Sequence, residues 1–147
     1  MARTSKGSSE KTKKFKTYWF PVIIWALVIF SFSSLPTKKV ADFYLQDFLI
    51  KKTAHVVEFA IFATLFYRAI VAYGIFEKMA GGYSVLVSFV YGATDEFHQS
   101  FTPGREPRAR DVVFDTIGAT LAIYIIWKYL PTAPKKLKNW AKRWQLI

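Results

Sequence analysis

The sequence predicts an all-α integral membrane protein: a four-helix bundle with an amphipathic C-terminal helix lying in the membrane interface. Three observations predict it. Four apolar stretches, residues 18–34, 55–73, 81–98 and 112–130, divide the chain of 147 residues. Apolar residues make up 52% of the chain, yet its net charge is +11. That excess is segregated: residues 1–17 and 131–147 each carry a net +5.

The same numbers exclude several classes. The chain has no cysteine, so a disulfide framework, a thiolate metal site and a cysteine nucleophile are ruled out. A nucleic-acid reader needs a basic face on a folded surface. Here basic segments flank apolar ones, which suits attraction to anionic lipid instead. Membrane lipids, and no nucleic acid, are therefore the expected partners.

The first stretch, 18–34, carries no charge and is rich in Trp, Ile, Val and Phe. As a helix it would cover about 26 Å, close to a bilayer core of about 30 Å. It is longer than a signal-peptide core, and no small-residue cleavage pattern follows it. It reads as an uncleaved span. The second stretch, 55–73, has His55 and Glu58 in its first turn and Arg68 near its end, where the long side chain would reach back to headgroups. The third, 81–98, ends on Asp95, Glu96 and His98, and the fourth, 112–130, has Asp115 in its first turn. Ser88-x-x-x-Gly92 and Gly118-x-x-x-Ala122 offer small faces for close helix packing.

Two further segments look amphipathic. In 40–50, Val40, Tyr44 and Phe48 recur every fourth residue; in 135–147, Leu137, Trp140, Ala141 and Trp144 form a stripe among lysines. Both are expected to lie in the interface as helices. The expected organisation is a basic tail over 1–17, a membrane domain over 18–130 and a basic amphipathic tail over 131–147. With four spans, twelve Lys/Arg fall on the side of the termini and seven on the other, which predicts a multi-pass cell-membrane protein with both termini cytoplasmic.

That topology brings the ionisable residues of three helices to one external level. His55 and Glu58 are spaced i, i+3, as are Asp95 and His98; Asp111 and Asp115 are spaced i, i+4. Each pair can share a helix face, and a charge one turn inside the membrane is costly unless paired. A Thr102-Pro103-Gly104 turn follows, with Arg105, Arg108 and Arg110 behind it. Arginines on a fixed turn suit phosphate or carboxylate; as a solvated loop they would instead pair with Glu106 and Asp111.

Lys52-x-x-His55-x-x-Glu58-Phe59, then Asp95-Glu96-x-His98-Gln99-x-Phe101-x-Pro103-Gly104-Arg105, then Asp111-x-x-x-Asp115-x-x-Gly118, resembles the VanZ-like family. The resemblance covers residues 18–130, including Ser33-Ser34-x-Pro36. The family often has Asn where this chain has Asp115. Membership implies a membrane location and a contribution to glycopeptide resistance of the teicoplanin type.

Two functions are then expected, from different classes. One is binding or modification of a cell-envelope lipid, polyprenyl-linked precursor or lipidated glycopeptide, with Lys52, His55, Gln99, Arg105, Arg108, Asp111 and Asp115 as binding residues. The other is an intramembrane enzyme acting on a lipid-linked substrate. It would use Glu58 as acid and His98 as base, with Asp95 and Glu96 orienting them or holding a cation. No cofactor is required by the sequence, although two histidines among carboxylates would suit a divalent metal. A third option is structural, with the cluster locking the helices as a buried ion-pair network.

Overall fold

The structure is a computed structural model that describes residues 3–36, 43–103, 105 and 108–147. These residues are all-helical, apart from turns and short connections: α1 (Arg3–Ser33), α2 (Tyr44–Ala72), α3 (Glu77–Gln99), α4 (Ala109–Tyr124) and α5 (Lys135–Arg143). Helix α2 touches α1, α3 and α4, and α1 also touches α3. Successive long helices run up and down, so the C-terminal ends of α1 and α3 lie level with the N-terminal ends of α2 and α4. The Ser33–His98, Lys52–Asp111 and His55–Asp115 contacts all fall at that one end.

Among the described residues, three helical segments are long and apolar enough to cross a membrane: Ser9–Ser33, Tyr44–Ala72 and Ala109–Thr132. The sequence suggested four. Helix α3 is long enough but less apolar, because its inner face is made of Gly81, Ser84, Ser88, Gly92, Asp95 and Gln99, all buried. Its large apolar residues, among them Leu86, Phe89, Val90 and Phe97, face outward. The small-residue patterns do what was expected of them. A methyl group on Gly118 would lie 2.2 Å from the backbone oxygen of Val56, so α2 and α4 meet backbone to backbone there.

Several boundaries differ from expectation. Helix α1 begins at Arg3, so the basic start is helical and continuous with the first apolar stretch. The separate interfacial helix expected over 40–50 is absent from Tyr44 onward, where the chain already belongs to α2; residues 40–42 lie outside the described residues. Paired charges let the helix run through: Lys51 meets Asp47 at 2.7 Å, one turn back, and Lys52 meets Asp111 at 2.5 Å. The turn after α2 closes on Gly74 at φ +90, with Ile75 N–H donating to the Ile70 carbonyl at 3.1 Å. That left-handed position suits glycine. The last apolar helix widens to a π-helical turn over Ile125–Tyr129 and tightens over Leu130–Thr132. Pro131 supplies the cause, since it has no N–H and its ring displaces a carbonyl one turn back.

The C-terminal helix does not lie free. Ala141 and Leu146 are buried with Tyr67, Ile70, Ile123 and Leu130, so α5 folds across the end opposite the polar cluster, while Trp140 and Trp144 stay largely exposed. Arg68 is held there too: its guanidinium lies 4.9 Å from the Tyr18 ring centre and 5.2 Å from that of Trp144. The expected extension to headgroups is replaced by stacking on two aromatic faces.

Candidate functional site

The polar end of the bundle is built around a cavity of about 920 Å³, walled by the end of α1, the first four turns of α2, the end of α3, the loop before α4 and the first turn of α4. Among the residues expected to form a site, Lys52, His55, Glu58, Asp95, Gln99, Arg105, Arg108 and Asp111 line it. Glu96, His98 and Asp115 do not.

Two helices are stitched together beside the cavity. Lys52 Nζ reaches Asp111 Oδ1 at 2.5 Å, and one turn deeper His55 Nδ1 lies 2.9 Å from Asp115 Oδ1. Helices α2 and α4 run parallel, so Lys52 and His55, three residues apart on α2, meet Asp111 and Asp115, four apart on α4, as two rungs. Gly118 continues the same seam against Val56. Asp115 is 1% exposed, and its other oxygen points at Gly92, where a methyl group would come within 2.8 Å of it. The residue spacing thus has a packing cause: Asp111, Asp115 and Gly118 form the stripe of α4 that faces α2.

The loop between α3 and α4 is equally tied down. Arg105 N–H donates to Thr102 O at 3.1 Å and closes the expected turn; Gly104 and Glu106 lie outside the described residues. The Arg105 side chain donates Nε–H to Leu35 O at 3.0 Å, one terminal N–H to Phe32 O at 2.8 Å and another to Gln99 Oε1 at 2.9 Å. It therefore clasps the last turn of α1 at Phe32 and the chain just beyond it at Leu35, where backbone carbonyls run out of helical partners. Gln99 in turn donates to Asp95 Oδ2 at 2.7 Å. Glu96 Oε2 accepts the Arg108 N–H at 2.7 Å, which sets a carboxylate at the N-terminus of α4, where the helix dipole favours it. His98 stacks on Phe30 with ring centres 4.3 Å apart, and its Nδ1 lies 3.3 Å from Ser33 Oγ.

Most of the Asp95–Arg105 motif is therefore wiring that joins α3, its loop and α1. This revises two expectations. Arg105 spends its donors on protein acceptors and is a clasp before it is a ligand group. Glu58 and His98 are not brought together; the histidine that shares the cavity with Glu58 is His55, one turn away on α2. Among the described residues no three His, Asp or Glu side chains converge to hold a metal ion.

The rest of the lining differs in burial. Asp95 is 5% exposed, and its Oδ1 is buried with no hydrogen-bond partner. Such an atom costs about 1–3 kcal/mol if nothing completes it. Glu58 is half-buried beside it in the lining. Lys51, Arg108 and Arg110 are the less buried cations of the wall. The sequence did not point to the aromatic part of this wall, Tyr44 and Phe48, nor to Phe114 behind Lys52. Lys52 Nζ lies 5.7 Å from the Phe48 ring centre and 5.8 Å from that of Phe114, and the Arg110 guanidinium lies 5.1 Å from Phe48. The Tyr44/Phe48 repeat was the available signal, but it pointed to a membrane surface rather than to this cavity.

Comparison with known proteins agrees with the motif. No curated protein and no solved structure matches the chain. The family model described as VanZ/LLP1 matches residues 3–130, which takes in the cavity, both rungs and the wired loop. The chain is a membrane protein of the VanZ/LLP1 family.

Proposed function

We propose that this protein crosses the membrane four times with both termini in the cytoplasm, and that its cavity holds the headgroup of a cell-envelope lipid at the external face. By binding or modifying that lipid, a polyprenyl-linked precursor or a lipidated glycopeptide, it would lower sensitivity to glycopeptides of the teicoplanin type. The observation that carries this is the cavity itself: about 920 Å³ at one end of a helical membrane protein, with cations and aromatic rings in its wall and buried carboxylates among its lining. Arginine and lysine suit a phosphate, and the outward apolar faces of α1 and α3 suit the chains. The excess of Lys/Arg on the terminal side supports the orientation.

One observation favours a second use of the same cavity. His55 and Glu58 lie a turn apart in its lining, an arrangement that acid–base chemistry on a bound lipid could employ. The scaffold alternative has its own support in the Lys52–Asp111 and His55–Asp115 rungs, but Glu58 stands outside both.

Glu58→Gln separates site from scaffold, because it keeps the shape and removes the charge. The thermal midpoint in detergent and the glycopeptide sensitivity of cells are measured for the same variant. A ligand residue gives an unchanged or raised midpoint with protection lost. A fall in midpoint, with protection lost only in proportion to folded protein, would leave the scaffold reading.

A further inference from the structure

Resting on that reading, we infer that the cavity selects a headgroup carrying both a phosphate and a primary amine, of the phosphoethanolamine type, rather than a purely anionic one. A site for an anion alone has no use for buried carboxylates. This one lines its depth with them: Asp95, 5% exposed, and Glu58, half-buried. Asp95 Oδ2 is satisfied by Gln99 at 2.7 Å, whereas Oδ1 is buried and accepts nothing. Gln99 is itself fixed by Arg105, so this carboxylate cannot easily turn to find another donor. An acceptor held in place and left open needs a donor from outside. A simple anion offers none and would be repelled.

The cations lie nearer the mouth. The side chains of Lys51 and Arg110 are 28% and 44% exposed, while that of Lys52, against Asp111, is 11% exposed. A group with a negative end and a donating positive end would therefore enter amine first. Its phosphate would lie among Lys51, Arg108 and Arg110, and its N–H groups would reach Asp95 Oδ1 and Glu58. Ethanolamine supplies three donors on a short arm. Glycerol supplies hydroxyls but no charge to match the carboxylates.

The test is lipid retention by the full-length protein, exchanged into mixed vesicles of phosphatidylethanolamine and phosphatidylglycerol, repurified and analysed by mass spectrometry. The wild type should retain the ethanolamine lipid several-fold over its share in the vesicle. Asp95→Asn should bring that ratio toward the bulk value. Equal retention of both lipids, or a preference for phosphatidylglycerol, would overturn the amine selection while leaving lipid binding intact. Retention of neither, with no midpoint rise from soluble O-phosphoethanolamine, would sink the lipid reading as well. The wild-type ratio decides the matter even if Asp95→Asn fails to fold. Soluble O-phosphoethanolamine and glycerol phosphate separate the source. A rise in thermal midpoint with the former alone, without lipid retention, would keep the amine site but assign it to a free headgroup.

Discussion

At the scale of single residues, the charged motif divides into wiring and site. Arg105 bonds three acceptors on two elements, so Arg105→Ala should destabilise the protein by about 1–2 kcal/mol, read as a lower thermal midpoint. Arg105→Lys should recover only part of it, because an ammonium cannot reproduce the planar fork. An unchanged midpoint in Arg105→Ala would return this arginine to the ligand. The His55–Asp115 rung makes a sharper case. His55→Leu strands a carboxylate that is 1% exposed and should cost about 3–5 kcal/mol, whereas His55→Leu with Asp115→Leu should regain much of the loss. Additive losses would mean that the two residues do not act as a pair. At this scale the sequence was half legible. Spacing identified Asp111 and Asp115 as one face of α4, since i, i+4 fixes a helix face, but Asp95 lines the cavity while His98, three residues on, stacks on Phe30. It could not say which partner each would take, because Arg105 meets backbone carbonyls at and just past the end of α1, seventy or more residues away, and no side-chain pattern announces a carbonyl.

At the scale of elements, helix seams decide the outcome. Gly118 abuts the Val56 backbone, which has no rotamer to yield, so Gly118→Ala should force α2 and α4 apart. Overpacking of this kind costs about 1–3 kcal/mol, and because the same seam carries both rungs, the loss should appear in the midpoint and in any function of the cavity. A silent Gly118→Ala would show that the seam is looser than described. Helix existence was legible from apolar runs and charge segregation, but helix ends were not. Helix α2 begins at Tyr44 because Lys51 and Lys52 are neutralised by Asp47 and Asp111, and sequence alone reads two adjacent lysines as a boundary. Helix α3 hid its own nature in the reverse way. Its polar and small residues face inward and its large apolar ones outward, so average apolarity says little about the outer face. The C-terminal stripe was found, but burial of Ala141 and Leu146 against the bundle depends on a core that sequence periodicity does not contain.

At the scale of the whole molecule, orientation and ligand come together. The absence of native cysteine allows single-cysteine labelling from outside the cell. Cysteine at Ala109, at the start of α4 beside the cavity, should react with an impermeant maleimide, and cysteine at Asn139 on α5 should not. The reverse pattern would put the cavity in the cytoplasm. The most direct measurement is lipid identification on protein extracted with its surrounding membrane, wild type against Glu58→Gln at equal folded yield. A protein whose cavity holds an envelope lipid yields one phosphate-bearing species enriched above the bulk membrane in the wild type and lost from the variant. Identical lipid profiles in both, matching the bulk, would contradict it.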